Sequence, residues 1–208
     1  MITLVGNLKG GTGKSTVAFN LALWSARNRN RRVAVYDLDP QATITDAFEI
    51  RAEEGYLPAI VPEHSLERLA AEGGDAEVLV DVGLSDMEAT RGAIQLADRI
   101  LVPVAPSQAD VWSTQRFLKM IAELRSDRPA RVLALLNRSD THPAVRETDE
   151  AAEALTLLDG IALLQSRLYM RTTYRRSFSE GLAVFEMEPR SKAAAELDAL
   201  GREVFEIN

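Results

Sequence analysis

The residues most able to do chemistry lie in a loop near the amino terminus, residues 7–15, which read Asn-Leu-Lys-Gly-Gly-Thr-Gly-Lys-Ser. The loop contains three glycines, Gly10, Gly11 and Gly13, with Thr12 between the last two. Such a loop lets backbone N–H groups close around an anion, and the N-terminus of a following helix adds partial positive charge. Lys14 could then reach the terminal phosphates of a nucleotide, and the Ser15 hydroxyl could join the shell of a Mg²⁺ ion. The loop therefore predicts a nucleotide-phosphate site.

One position departs from the usual phosphate-loop pattern. That pattern has glycine five residues before Gly13, where this chain has Leu8, and a second lysine, Lys9, opens the loop. Lys9 is badly placed to wrap onto its own nucleotide, but it could reach the nucleotide of a facing subunit, as an arginine finger does. The alternative is an exposed lysine with no role.

Carboxylates follow the next two apolar runs. Asp37 and Asp39 stand two apart after the second run, and Asp81 ends the third. In phosphoryl transfer a carboxylate can hold Mg²⁺ or orient the attacking water. We expect Asp81 to hold the metal, and we expect one of Asp37 and Asp39 to support the metal shell while the other orients the water. For Asp81 the alternative is an exposed helix cap.

Short β-branched runs alternate with helical patterns along the whole chain. The predicted strands are 2–6, 33–37, 77–81, 99–104, 131–136 and 161–164, and the predicted helices are 14–28, 65–72, 87–97, 110–125, 144–158, 171–180 and 190–205. Near-continuous apolar strands separated by helices predict one α/β domain over residues 1–208, with a mostly parallel sheet and helices on both faces. Ligands bind at the carboxyl ends of such strands, where the loop and the carboxylates would meet.

Composition narrows the function further. The chain has no cysteine, which excludes disulfides and thiolate-held metal clusters. It opens on a predicted strand and contains no apolar run of membrane-spanning length, so we expect a cytoplasmic protein.

The net charge is −7, but basic residues cluster in one segment. Residues 165–192 hold six basic and three acidic side chains, whereas the rest of the chain holds 18 basic and 28 acidic ones. Such a segment could bind a polyanion with strong salt dependence, or be a solvated helix face. The predicted DNA-binding residues are Arg167, Arg171, Arg175 and Arg176.

Three motifs together resemble the ParA/MinD family of deviant Walker A ATPases. They are the lysine-led loop, the Asp-Leu-Asp-Pro-Gln run at 37–41, and the pattern from Ala97 to Asp110 with Pro103, Pro106 and Ser107. The segment from Gly181 to Glu186 is similar to the short, ParF-like branch of partition ATPases. The resemblance runs from Asn7 to about Lys192.

The resemblance implies roles for the loop residues. Lys9 matches the family's signature lysine, which contacts the partner subunit's nucleotide in an ATP sandwich dimer. Lys14 matches the phosphate-loop lysine, Ser15 the magnesium-binding hydroxyl, and Thr16 a further phosphate contact.

It also implies roles at the strand ends. Asp39 matches the aspartate associated with water activation, and Asp37 supports the metal region. Asp81 matches the Walker B aspartate, and Asn137 sits where the family commonly contacts adenine. The segment after Asp81 lacks the proline often found there, which leaves the hydrolysis geometry open.

The implied activity is a cycle driven by Mg²⁺ and ATP. In the ATP state the chain would form a homodimer, bind DNA non-specifically and associate with the nucleoid. A ParB-like or other small partner protein would stimulate hydrolysis, and the cycle would move a plasmid, a chromosomal locus, a protein cluster or a microcompartment.

Three other interpretations remain at this point. A MinD-type membrane-bound ATPase would attach through a basic amphipathic terminal helix, but residues 196–208 hold four acidic side chains and one arginine, so we expect no membrane binding. A metabolic ATP-dependent ligase would need a pocket for a second substrate, for which the sequence shows no distinctive residues. A nucleotide-gated binder that hydrolyses little would lack a productive water, which the presence of Asp39 argues against.

Overall fold

The computed structural model describes residues 1–29, 31–142 and 145–205. Its six strands are β1 (Ile2–Val5), β2 (Val33–Asp37), β3 (Glu77–Asp81), β4 (Arg99–Val104), β5 (Arg131–Ser139) and β6 (Ala162–Tyr169). They form one sheet in the order β2-β3-β1-β4-β5-β6, and every pairing is parallel. The predicted parallel α/β architecture is confirmed.

Helices cover both faces of the sheet. They are α1 (Lys14–Asn28), α2 (Thr43–Glu53), α3 (Leu66–Ala71), α4 (Met87–Leu96), α5 (Gln108–Leu124), α6 (Glu147–Thr156), α7 (Thr172–Ser179), α8 (Val184–Met187) and α9 (Lys192–Phe205). Successive strand residues point to opposite faces, so Val5 joins the core under α1 and α9 whereas Leu4 joins the core under α4, α5 and α6. The central strand β1 therefore contributes apolar side chains to both faces, as a doubly covered parallel sheet requires.

The structure corrects the predicted elements in several places. The predictions missed α2 and α8, and they ended β5 and β6 three and five residues too early. The predicted helix at 144–158 is α6, which begins at Glu147; residue 144 lies outside the described residues. None of the helices within the described ranges combines the length and the apolar character needed to cross a bilayer.

The element that matters most for the site is α1, which starts at the carboxyl edge of the central strand β1. It is fixed by close packing against α9, because a Cβ on Gly201 would lie 2.3 Å from the Trp24 ring. Trp24 also donates from its indole N–H to Asp198 at 3.0 Å. These contacts hold the phosphate loop (residues 7–15) at a fixed place on the sheet edge.

Candidate functional site

The phosphate loop connects β1 directly to α1. Gly11 and Gly13 have φ angles of 75° and 87°, which glycine adopts without steric cost, and the helix begins at Lys14 with no side-chain cap. A Cβ on Gly13 would come within 2.5 Å of the Asn137 amide nitrogen, so this position excludes any side chain. The loop thus leaves the N-terminal N–H groups of a long helix open to an anion.

Side chains from the end of β5 brace this loop. The Asn137 amide donates to the Thr12 carbonyl at 2.7 Å and accepts from the Arg138 N–H at 2.9 Å. The Arg138 guanidinium donates to the Gly11 carbonyl at 2.5 Å, and its backbone has a φ of 59°, unusual for a non-glycine residue. Asn137 therefore shapes the loop itself; its contact with a base stays a prediction.

Sequence reasoning did not single out Arg138. The one available signal was the polar pair at 137–138, which ends an otherwise apolar strand on the edge that carries the loop.

Asp37 lies buried at the end of β2 and organises the next turn. Its carboxylate accepts from the Thr45 N–H at 3.1 Å, from the Thr45 hydroxyl at 2.6 Å and from the Asp39 N–H at 3.2 Å. It therefore anchors the start of α2 to the sheet edge, and its role near the metal stays a prediction.

Asp39 is brought close to the segment that follows β3. Its carboxylate accepts from the Gln41 N–H at 3.1 Å and from the Ser85 hydroxyl at 3.3 Å. A Cβ on Gly83 would lie 2.2 Å from the Asp39 carboxyl carbon. The carboxylate is therefore held tightly, and space for it exists because residue 83 is glycine.

Asp81 is buried beneath the start of α1, and neither of its carboxylate oxygens has a hydrogen-bond partner among the described residues. Burial raises the pKa of Asp81 to about 7, while the nearby Ser15 hydroxyl and the charge of Lys14 oppose the rise. The exposed-cap alternative for Asp81 is wrong, because the carboxylate is enclosed in the protein.

The residues present fit a Mg²⁺ ion. Two unpartnered buried oxygens of Asp81 stand beside the Ser15 hydroxyl, and oxygen donors of this kind are the ones that Mg²⁺ prefers. No group of three or more His, Cys, Asp or Glu side chains in the described ranges could hold a metal on its own. Mg²⁺ commonly keeps several waters and takes few protein ligands, so Ser15 and Asp81 would be sufficient to hold it and it would supply positive charge for phosphates.

Two cavities meet at the phosphate loop and share Gly13 and Thr16 as walls. One has a volume of about 330 Å³ and is lined by the loop, Lys14, Ser15 and Asp39. The other has a volume of about 370 Å³ and is lined by the residues around Asn137, Tyr169, Met170, Arg171, Thr172 and Arg175. The first suits the phosphates of a nucleotide and the second suits its base and sugar.

Lys9 does not point into solvent freely. Its ammonium forms an ion pair with Asp110 in the first turn of α5, and the Asp110 side chain is only 3% exposed. The lysine that the sequence predicts to reach another subunit is therefore bound within its own chain in this structure.

The four arginines predicted to bind DNA differ in what surrounds them. Arg167 donates to Asp149 at 2.7 Å and Arg171 to Glu196 at 2.8 Å. Arg176 is exposed and lies 3.9 to 4.0 Å from the carboxylates of Glu188 and Glu180. Arg175 is exposed with no ion pair among the described residues, but it lines the larger cavity. The structure does not gather the four into one free basic patch.

Comparison with known proteins identifies the class. Residues 3–184 match the family described as the CobQ/CobB/MinD/ParA nucleotide binding domain, so the chain belongs to this family. The resemblance inferred from the lysine-led loop is confirmed, and with it membership of a family of positioning ATPases that includes MinD and ParA.

Proteins similar in sequence to this chain are found in several organisms. The "Maintenance of carboxysome distribution protein A" of Halothiobacillus neapolitanus is 30% identical over 200 residues, 92% of this chain and 90% of the relative. The "Chromosome-partitioning ATPase Soj" of Thermus thermophilus is 28% identical over 233 residues, 96% of this chain and 85% of Soj. The chain is thus similar over nearly its whole length to proteins named for two different cargoes.

Solved structures share the fold. Apo McdA from Cyanothece superposes with a TM-score of 0.78 at 16% identity, covering 98% of both chains. MinD from Pyrococcus horikoshii with Mg-ADP has a TM-score of 0.75 at 19% identity, covering 98% of this chain and 95% of MinD.

Proposed function

We propose that this chain is an ATPase that switches between a monomer and an ATP-bound homodimer, binds DNA in the dimeric state, and thereby positions a cargo. The observation that carries the proposal is the pair of adjoining cavities at a lysine-led phosphate loop, with Asp39 on the wall of the phosphate cavity.

Binding follows from the loop. Backbone N–H groups of residues 10–15 and the positive end of α1 attract the phosphates, and Lys14 adds a full charge close to the terminal ones. The larger cavity takes the base and sugar, where Asn137 and Thr172 supply polar groups and Met170 supplies apolar surface. We therefore propose ATP as the substrate.

Hydrolysis requires a positioned water and stabilised charge. Asp39 is held by the Gln41 N–H and the Ser85 hydroxyl, so its carboxylate can accept a hydrogen bond from a water in line with the terminal phosphate. When bound, Mg²⁺ held by Ser15 and by Asp81 with the support of Asp37 would neutralise phosphate charge. Among the described residues that line the phosphate cavity, Lys14 is the only cationic side chain, so we expect slow hydrolysis in the free chain.

Dimerisation is proposed from Lys9. A cation at the first position of the loop can complete the site of a facing subunit, and such a contact in trans stabilises charge that develops in the transition state. The proposal makes the ATP-bound dimer the active form and a small partner protein its activator.

DNA binding is proposed through exposed cations that form no ion pair within the described part of the chain. Arg27, Arg190 and Lys192 are exposed and have no ion pair among the described residues, and Arg27 and Arg190 line one groove of about 360 Å³. They lie around the N-terminus of α9, whose dipole also favours phosphate. These three residues form the surface that we propose for non-specific DNA, and exposed Arg175 on α7 is a separate candidate contact.

The cargo is proposed as a class. The relatives named above distribute carboxysomes or partition chromosomes, so we propose a large body, either a DNA locus or plasmid or a protein compartment, that recruits the ATPase through a partner protein. The ATPase itself would be associated with the nucleoid in the cytoplasm.

The test is light scattering after size exclusion, in ADP and in a non-hydrolysable ATP analogue, with and without non-specific duplex DNA. We expect a dimer in the analogue that alone co-elutes with DNA at low salt. Lys14→Ala should lose nucleotide binding, whereas Lys9→Ala should keep nucleotide but stay monomeric. A wild-type chain that remains monomeric in both nucleotides and ignores DNA would contradict the proposal.

The DNA surface has its own matched comparison. The double variant Arg190→Ala with Lys192→Ala should weaken binding to all sequences and reduce the salt slope by about one unit for each DNA phosphate that the variant no longer neutralises. Arg167→Ala is the control, because that arginine is already paired with Asp149. Equal effects of both variants would move the surface elsewhere.

A further inference from the structure

Lys9 is held within its own chain by an ion pair that belongs to a network of hydrogen bonds at the start of α5. The first turn of α5 presents Asp110, which accepts from the Lys9 ammonium and from the Ser107 hydroxyl on the same carboxylate oxygen. The Asp110 N–H donates to Ser107 at 3.2 Å, so the helix cap and the ion pair share one carboxylate.

The backbone on either side of Lys9 is also fixed. Asn7 accepts from the Lys9 N–H at 3.2 Å and from the Ser113 hydroxyl at 3.2 Å, and it donates to the Pro103 carbonyl at 2.8 Å. The start of the phosphate loop is thus tied to the end of β4 and to α5. Lys9 is 40% exposed while the Asp110 side chain is 3% exposed, so the carboxylate is the rigid, desolvated member of the pair.

A lysine held in this way cannot at the same time reach across to another subunit. The Lys9 ammonium is a single charge, and its release leaves Asp110 buried without its cation; the second carboxylate oxygen already has no hydrogen-bond partner among the described residues. Leaving one partner of a desolvated ion pair unpaired opposes the release strongly. We therefore expect an anion of higher charge than one carboxylate to compete best for the lysine.

We propose that Asp110 is a positioning residue that retains Lys9 in the monomer, so that the lysine leaves for a facing subunit only when that subunit presents a triphosphate. This rests on the proposed function, in which Lys9 acts in trans. A diphosphate has no γ-phosphate and carries less charge, so we expect it to leave the ion pair with Asp110 in place. The contact thereby makes dimerisation depend on the nucleotide state.

The test compares Asp110→Asn with wild type. Asparagine keeps the shape and can still bond to Ser107, but it removes the charge that retains the lysine. We expect the variant to reach half-dimerisation at a protein concentration at least tenfold lower in the ATP analogue, and to form detectable dimer in ADP. Glu123→Gln is the control, because it removes an exposed carboxylate from the same helix.

A second readout follows Lys9 directly. Acylation of the nucleotide-free protein with an N-hydroxysuccinimide ester, read by peptide mass spectrometry, should modify Lys9 at least fivefold faster in Asp110→Asn than in wild type. Lys119 is exposed on the same helix and serves as the internal reference. Asp110→Glu restores a carboxylate and should return both the acylation rate and the dimerisation threshold toward wild type.

The outcomes separate the two proposals. A wild-type chain that never dimerises in the analogue refutes the proposed function and removes the role of the contact with it. A wild-type chain that dimerises, with Asp110→Asn showing the same threshold and the same Lys9 acylation rate, refutes the retention by Asp110 alone. If Asp110→Asn does not fold, Asp110→Ser removes the same charge with a smaller side chain and decides the question in its place.

Discussion

Gly83 leaves no room for a side chain beside the Asp39 carboxylate, and this gives a prediction that can be tested. A Cβ placed on Gly83 would lie 2.2 Å from the Asp39 carboxyl carbon and Oδ1, and 2.4 Å from Oδ2. Gly83 does not have the positive φ that strains other residues, so the backbone accepts alanine there. Gly83→Ala should therefore leave the fold intact and displace one carboxylate.

The size of the effect follows from the geometry. Relief to an ordinary contact of 3.4 Å requires the Asp39 carboxylate to move by about 1.2 Å. A displacement of about 1 Å in a positioning group can lower a rate by about 100-fold, which corresponds to about 2.7 kcal/mol. The rotamer change costs about 0.5–1.5 kcal/mol and the loss of a glycine from the unfolded chain returns about 0.4–1 kcal/mol, so the free energy of unfolding should change by less than about 1 kcal/mol.

The assay is basal ATP turnover, with ADP affinity and the unfolding midpoint measured on the same samples. We expect turnover to fall about 100-fold while ADP affinity stays within about twofold, because the substitution spares the phosphate loop. Gly73→Ala is the control: that glycine also has an ordinary φ, and its nearest neighbour would be 4.0 Å away.

A double-mutant cycle tests the route of the effect. If Gly83→Ala acts through Asp39, the variant that combines it with Asp39→Ala should turn over at the rate of Asp39→Ala alone. Additive losses would show that Gly83 acts by another route. Wild-type turnover in Gly83→Ala would refute the role of Asp39 in positioning the water.

Three further predictions concern the scaffold and the loop. Arg51→Ala should destabilise the protein by about 3–5 kcal/mol in denaturant unfolding, because it removes a fully buried guanidinium from a paired carboxylate, whereas Arg68→Ala, which breaks an exposed pair, should cost less than about 1 kcal/mol. Gly201→Ala should cost about 1–3 kcal/mol by overpacking the Trp24 ring, and an unchanged midpoint would contradict the packing of α1 on α9. Arg138→Ala should weaken ADP binding measured by calorimetry, because it removes the hydrogen bond from the guanidinium to the Gly11 carbonyl in the phosphate loop. Arg138→Lys keeps the charge but not the planar guanidinium, so it should restore only part of the affinity.

The sequence was sufficient for the sheet because its strands carry strong, short apolar runs on both faces. The prediction of elements was less accurate where no apolar run or helical period is present. The end of β6 is polar, and among the described strands β6 is at the edge of the sheet and pairs with β5 alone, so no continuous apolar run marks its length. Helix α2 has apolar residues Ile44, Ala47 and Phe48 at helical spacing, but it is flanked by Pro40 and Gly55, which are residues that favour turns. Helix α8 has four residues and cannot show a period.

The site was predictable as far as its residues are local in sequence. A glycine-rich loop between a strand and a helix predicts a phosphate site by itself. Aspartates at the ends of neighbouring strands lie near that loop because the strands are parallel and end at the same edge of the sheet. The contacts that control the loop are not local. Lys9 and Asp110 are 101 residues apart, and Arg138 lies 127 residues from Gly11. No spacing rule connects such pairs, so only the packed structure shows that Lys9 is paired with Asp110.

Charge counted along the chain is a poor guide to a surface that binds a polyanion, and this protein shows why. Residues 165–192 carry an excess of basic side chains, but the fold places acidic residues from other segments beside two of them. Asp149 pairs with Arg167, and Glu196 pairs with Arg171. A guanidinium already paired with a carboxylate releases fewer counterions from DNA than a free one, because the pair must first be broken. Within the described part of this segment Arg175, Arg190 and Lys192 have no ion pair, and the last two lie beside the start of α9. Affinity for DNA in an acidic protein of this kind should therefore depend on which cations the fold leaves without a partner, rather than on how many the segment contains.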